Sequence, residues 1–353
     1  MSSLAPVVLI LIFAAAAIAT WIAGVSLSKT TDALDIRFDL GQEIGGLILL
    51  AFAGTLPELA ITVSAAAGGH LQLAAGNLIG GIAIQTMVLV LCDVAAGPQR
   101  PLTFLAGALT PALEGLLVVL VVVGVIMGGL LPAGASIGGV VSPASIAICV
   151  FWGLGIWVID GVRKNPRWRI EMPGAQPGRR HHRDRVVDRP EPFAGVSNAK
   201  VMSRFALGCA VTLAAGIALE LAGSQLAGRA DVNGVVFGAT ALALASALPE
   251  ISSGIAAVRL GDHALAIGDT FGGNAFQVTL FLLADLIAGR ALLPLAGRQN
   301  AWLAALGIAL TAIYSVGLLA RPARCWARLG PDSILAILVF ALGIVGLVAL
   351  PGS

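Results

Sequence analysis

Residues 51–85 read AFAGTLPELAITVSAAAGGHLQLAAGNLIGGIAIQ, and residues 243–277 read ALASALPEISSGIAAVRLGDHALAIGDTFGGNAFQ. A shift of 192 positions lays one over the other without a gap, and the alignment extends over 46–97 and 238–289. Leu56-Pro57-Glu58 falls on Leu248-Pro249-Glu250, Gly76 on Gly268, Gly80-Gly81 on Gly272-Gly273, Gln85 on Gln277 and Asp93 on Asp285. A shared richness in Leu and Ala would scatter identities. It would not pair Pro-Glu, Gly-Gly, Gln and Asp at a single offset. The chain therefore contains an internal repeat.

The rest of the chain says where that repeat lives. Of 353 residues, 58% are hydrophobic and 11% are charged, with a mean hydropathy of +0.95. A soluble domain carries about 25% charged residues, so the side chains needed to coat a water-facing surface are missing. The apolar stretches run well beyond ~10 residues and do not alternate, which excludes a transmembrane β-barrel. Cys92, Cys149 and Cys209 lie in apolar runs and Cys325 in a basic loop, which does not suit a secreted disulfide scaffold.

A bilayer-spanning helix needs about 20 apolar residues. Ten runs qualify: 5–27, 40–67, 71–97, 102–130, 138–160, 204–227, 234–258, 262–288, 299–320 and 333–350. The first has no basic residue ahead of it and is too long for a signal-peptide core, so it counts as a span. The expected fold is an all-α polytopic membrane protein of two five-helix repeats, 1–160 and 204–353, joined by a linker at 161–203. Five is odd, so the second copy enters the membrane upside down. Inverted repeats with interrupted helices are the pattern of secondary transporters, which place their site near the midplane where the copies meet.

The linker contains ten Lys and Arg residues from Arg163 to Lys200, together with His181 and His182. Basic residues in short loops stay on the cytoplasmic side. Loops on the linker's side add Lys29, Arg37, Arg100, Arg259, Arg321, Arg324 and Arg328, against only Arg229, Arg290 and Arg298 opposite. Both termini are thus expected outside and the linker in the cytoplasm, most simply in a cell (inner) membrane. The linker reads as a disordered, topology-setting segment. A basic segment beside a membrane can also attract anionic lipid, and nothing further marks it for nucleic acid.

Glu58 and Glu250 stand well inside the second and seventh spans. A charge at a helix centre costs about 2.5–3.5 kcal/mol on insertion scales, so such a residue is read as functional. Each follows a proline, whose missing N–H and ring displace the carbonyl four residues earlier, here that of Ala53 and of Ala245. Two freed carbonyls, two carboxylates and the hydroxyls of Thr55 and Ser246 form an oxygen-rich set, which suits a hard cation such as Ca²⁺ with its six to eight oxygen ligands. In the following spans Asn77, Gly81 and Gln85 form one stripe, four residues apart, and Asp269, Gly273 and Gln277 repeat it. Glycines there allow close helix approach, which would bring Asn77, Gln85, Asp269 and Gln277 towards the glutamates. Asp93 and Asp285 lie roughly 24 Å further along a straight helix and are expected to cap or to meet water. Glu114 reads equally as a proton relay or a helix-to-helix hydrogen bond, Glu220 has no repeat partner, and Glu43 is expected to face water.

The two motif pairs resemble the α-repeats of the cation/Ca²⁺ exchanger superfamily. Its pattern is roughly G-T-S-x-P-E in one helix and G-N-x-x-G-S-N-x-x-[N/D] in the next. Here these read Ala53-Gly54-Thr55-Leu56-Pro57-Glu58 with Gly76-Asn77 through Gln85, and Ala245-Ser246-Ala247-Leu248-Pro249-Glu250 with Gly268-Asp269 through Gln277. The resemblance implies an antiporter that exchanges Ca²⁺ or a related cation by alternating access, with Glu58 and Glu250 as shared ligands. The transported cations and the bilayer would be its partners, with no cofactor and no catalytic residues. Family serines of the sodium sites correspond to Gly81 and Gly273, Gln85 and Gln277 replace Asn or Asp, and Ala247 lacks a hydroxyl. These departures leave fewer oxygens for Na⁺.

One Ca²⁺ or two protons neutralise two glutamates equally, which inclines the reading to H⁺ as the counter-ion over Na⁺. A Na⁺/H⁺ exchanger on the same scaffold, a cation channel and a non-transporting membrane protein stay open. An intramembrane aspartyl protease is disfavoured, because Gly268-Asp269 lacks the earlier glycine of a G-x-G-D element.

Overall fold

In the computed structural model the described residues are 4–38, 54–132, 134–164 and 193–350. They are helical throughout, with only isolated β-bridges at Ile137 and Val141 and at Trp326 and Leu329. The first half contributes α1 (Pro6–Phe38), α2 (Leu56–Ala67), α3 (Leu71–Ala96), α4 (Leu102–Ala106), α5 (Thr110–Gly129) and α6 (Pro143–Lys164). The second contributes α7 (Asn198–Arg229), α8 (Gly234–Phe237), a π-helical turn (Gly238–Leu242), α9 (Ala243–Ser246), α10 (Leu248–Arg259), α11 (His263–Gln277), α12 (Leu280–Ala288), α13 (Gly297–Ala320) and α14 (Pro331–Ala349). Among the described residues eight helical stretches are long and apolar enough to span a bilayer, with α11 and α12 counted together as one, and the bent pair Gly234–Ser246 and Leu248–Arg259 makes a ninth. Of the expected span at 40–67 only the part from Gly54 is described, including the twelve residues of α2; Glu43 and Ala53 lie outside the described residues.

Several boundaries move for identifiable reasons. The first and sixth spans outrun their apolar stretches to become α1 and α7 and pair antiparallel along their length. Arg37 donates to Asn198 Oδ1 (2.8 Å) and Phe193 O (2.9 Å) at one end, and Arg229 donates to Leu4 O (2.7 Å) at the other. Between these ends Gly208 lies against Leu27, and the same pairing puts Gly223 between Phe13 and Phe237. The extra turns are thus held by the partner helix, not by lipid. The fourth span breaks between α4 and α5 at Gly107, whose φ of 53° is left-handed and suits a residue without Cβ. The eighth breaks between α11 and α12. The fifth begins later than expected, at Pro143.

Asp93 and Asp285 decide how the halves lock. Both are buried, so water is not their partner. Asp93 accepts from Leu102 N and from Gly330 N, each at 2.6 Å. Asp285 accepts from Leu292 N (2.7 Å), Ser142 N (3.0 Å) and Ser145 Oγ (2.7 Å). Each carboxylate therefore serves its own repeat's next turn and also the N-terminus of the opposite repeat's last helix, α14 or α6. Orphan N–H groups and the positive helix end both favour an anion there.

Candidate cation-binding site

Both Pro-Glu motifs begin a half-helix in mid-chain. Pro57 and Pro249 occupy first-turn positions of α2 and α10, where a missing N–H breaks no helical bond. Between α9 and α10 the axis turns by 46°. Glu58 and Glu250 fall in the first turn of their half-helices, so each carboxylate sits at a positive helix end. Ala245 is buried in the last turn of α9, four residues before Pro249.

The crossing of the repeats brings these starts together. Gly24 of α1 lies against Pro249, and a Cβ on it would collide with that ring; Gly216 of α7 lies in the same way against Ala60 and the Pro57 carbonyl. Gly24 and Gly216 are themselves 192 residues apart, so each long helix supports the half-helix of the other repeat. Trp21 adds a hydrogen bond to Ser252 on α10. The GxxxG of α3, Gly76 and Gly80, rests on the backbone of Val235 and Ala239, while Gly238 meets Leu73 O and Asn77 N in return. Close approach is therefore realised in α3. It is not realised at Gly272 and Gly273, where a Cβ would meet open space.

The expected ligand set divides in two. Glu58 is fully buried and receives a hydrogen bond from Gln85 Nε2 (3.0 Å), with Ser246 of the opposite repeat as a neighbour. The Ser246 hydroxyl donates to Ala243 O (3.1 Å). Glu250 is only half-buried. Together with Thr55, Gln85, Ser253, Asp269 and Thr212 it lines a cavity of about 40 Å³, above the ~10–15 Å³ that one water needs. Ser253 Oγ donates to Asp269 Oδ2 (3.3 Å).

Asn77 is buried with neither end of its amide bonded to protein. Gln277 departs from the symmetric expectation: its Nε2 donates to Leu78 O (2.7 Å) and Asn77 O (3.3 Å), in space that Gly81 leaves open. Glu114 rests on Gly268, next to Asp269, and Glu220 accepts from Ser64 Oγ (2.6 Å) and pairs with His70 Nδ1 (2.6 Å). Among the described residues no three acidic, His or Cys side chains converge as a metal cluster, so neutral oxygens must complete any shell around the glutamates.

Glu58 Oε2, Glu250 Oε2 and Asn77 Oδ1 are buried without a protein partner. Such atoms cost about 1–3 kcal/mol each and mark a place built for something else. The sequence reading missed Thr20 and Thr212, although the same 192-residue offset pairs Thr20 and Gly24 with Thr212 and Gly216. Their stretch of the repeat lacks the Pro-Glu signature that drew attention to the rest.

Inverted halves meeting at opposed half-helix starts, each with a glutamate that keeps a buried, unpartnered oxygen, define a membrane transporter of the cation-exchanger class. The chain belongs to the sodium/calcium exchanger protein family, whose model matches residues 8–159 and 201–348; these proteins are transporters, not enzymes, and this one is an integral membrane protein. It is 27% identical over 296 residues to the inner membrane protein YrbG of Escherichia coli (strain K12), covering 82% of this chain and 80% of that one. Solved structures with the same fold include the H⁺/Ca²⁺ exchanger CAX, at 16% identity and a TM-score of 0.67 over 98% of this chain and 82% of that one. The sodium-calcium exchanger NCX_Mj matches at 17% identity and a TM-score of 0.58, over 98% and 100% of the two chains.

Proposed function

We propose that the protein is a secondary antiporter that exchanges Ca²⁺, or a related cation, for H⁺ by alternating access, with Glu58 and Glu250 as the shared ligands. The observation that carries this reading is that two glutamates at the starts of opposed half-helices, Glu58 fully and Glu250 half-buried, each keep one buried carboxylate oxygen without a protein partner. Unpaired charge in a low-dielectric interior is costly. One Ca²⁺ or two protons remove that cost equally, so the site exchanges one for the other without further charged groups. Thr55, Ser246, Asn77, Gln85 and the Ala53 and Ala245 carbonyls are the neutral oxygens within the motifs, Asp269 is a third acidic group, and Gln277 acts through the backbone of α3.

Proton coupling is favoured over Na⁺ by what stands at the serine positions. Gly81 leaves its space to the Gln277 amide, and Gly273 leaves cavity; neither offers an oxygen. We place the protein in the cell (inner) membrane with both termini outside and the basic linker cytoplasmic, in keeping with the positive-inside rule and with the name of its E. coli relative.

The test is reconstitution in liposomes, with ⁴⁵Ca²⁺ uptake driven separately by a pH gradient and by a Na⁺ gradient. Uptake on the pH gradient that is lost in Glu58→Gln and in Glu250→Gln is expected. Uptake on the Na⁺ gradient alone would transfer the coupling to Na⁺, and uptake with neither gradient would remove the antiport reading. A Na⁺/H⁺ exchanger would move no Ca²⁺ but would acidify or alkalinise the lumen on a Na⁺ gradient.

A further inference from the structure

We infer that Thr212, and its repeat mate Thr20, are additional direct cation ligands, contributed by the long helices α7 and α1 and not by the Pro-Glu motifs. The inference rests on the cation-site reading above and names ligands which that reading lacks.

Threonines inside helices ordinarily turn the hydroxyl back to the carbonyl of the preceding turn. Thr30, Thr86, Thr240 and Thr270 do so here, at 2.7–3.1 Å. Thr20 and Thr212 do not: both are completely buried, and neither hydroxyl has a protein partner. Among the described residues Thr31, Thr62 and Thr311 share that state, but their counterparts at the 192-residue offset are not threonines. Only Thr20 and Thr212 recur as a pair.

Their position explains what they face. Thr212 stands one helical turn from Gly216, which lies on Pro57 O and Ala60, and it lines the cavity with Thr55, Glu250 and Asp269. Thr20 stands one turn from Gly24, which lies on Pro249; one turn to its other side, Ala16 packs in a cluster with Ala245. Each threonine is thus set opposite the start of a half-helix by a glycine that removes the steric barrier. A hydroxyl oxygen there is a neutral ligand of the kind Ca²⁺ takes to reach six to eight oxygens. Thr212 lines the cavity with Glu250, and Thr20 stands on the turn of α1 that faces the Ala245–Pro249 break. A cation held in this way bridges the α1–α7 pair to the half-helices, so the long helices sense its presence directly.

The test uses the full-length protein purified in detergent, with equilibrium ⁴⁵Ca²⁺ binding and thermal melting measured with and without Ca²⁺. Thr212→Val keeps the shape and removes the oxygen. Because the hydroxyl has no protein partner, the melting midpoint without Ca²⁺ should stay close to wild type. The Ca²⁺-induced upward shift should shrink, and the Kd should rise roughly three- to tenfold. Thr212→Ser should restore Kd to within about twofold of wild type, and Thr20→Val and Thr20→Ser should follow the same pattern. An unchanged Kd in both valine variants, or serine variants as impaired as the valine ones, would overturn the assignment. So would a wild-type protein that binds no Ca²⁺. Normal binding without gradient-driven exchange in liposomes would instead overturn the transport reading alone and leave the ligand assignment standing.

Discussion

Glu58 and Glu250 each keep a buried carboxylate oxygen without a protein partner, and they are not equivalent. Glu58 is enclosed and steadied by Gln85, whereas Glu250 borders the cavity with Asp269 nearby. Removing the third carboxylate should therefore weaken the site without destroying it. In Asp269→Asn we expect coupled Ca²⁺ uptake to persist with an apparent KM raised about tenfold, measured as initial rates in liposomes; complete loss would place Asp269 beside the glutamates as an obligatory ligand. Gln85→Ala should act differently, since a hydrogen bond to a charged group contributes about 1.5–3 kcal/mol. The melting midpoint measured without Ca²⁺ should fall. The glutamates, Gln85 and Asp269 were all singled out as candidates from paired positions in the chain. The different partner of Gln277 was not, because it depends on which backbone fills the space beside Gly81.

Elements meet here through missing side chains. Gly24 and Gly216 let α1 and α7 touch the half-helices of the opposite repeat, and Gly76 and Gly80 let α3 touch the helix that leads into α9. Replacing Gly80 by Val would drive a side chain into Ala239, with an overpacking cost of about 1–3 kcal/mol; a lower melting midpoint in detergent is the expected readout. Asp285→Ala would strand the donors of Ser142, Ser145 and Leu292, at about 1–3 kcal/mol for each one left unpaired. It should lower the melting midpoint while leaving the Ca²⁺ KM near wild type, because those contacts lie away from the glutamates. From their distance along the helix Asp93 and Asp285 were expected either to cap or to meet water, and of the two they cap. That each caps the last helix of the other repeat was not, since donors more than 140 residues away in the chain leave no periodic trace.

At the scale of the molecule, two five-helix halves exchange supports, so neither completes its site alone. The charge balance of that site gives a whole-molecule prediction. If one Ca²⁺ exchanges for two protons, turnover moves no net charge, and imposing a K⁺ diffusion potential with valinomycin should leave the pH-driven ⁴⁵Ca²⁺ uptake rate unchanged. A potential-dependent rate would show that a further charged group, Asp269 first among them, takes part in each cycle.

The order of residues along the chain was enough to establish a helical membrane protein and its inverted duplication, and to single out Glu58 and Glu250 as the candidate acidic pair, because burial in lipid and a repeat offset both act through composition and spacing. Tertiary packing alone chose which oxygens lie together. Glu58 was placed beside Gln85 and Ser246, Glu250 beside the cavity and Thr212, and Gln277 on a neighbouring backbone. Those choices depend on the paths of helices far apart in the chain, and two halves similar in pattern settled into unequal environments when they packed against each other.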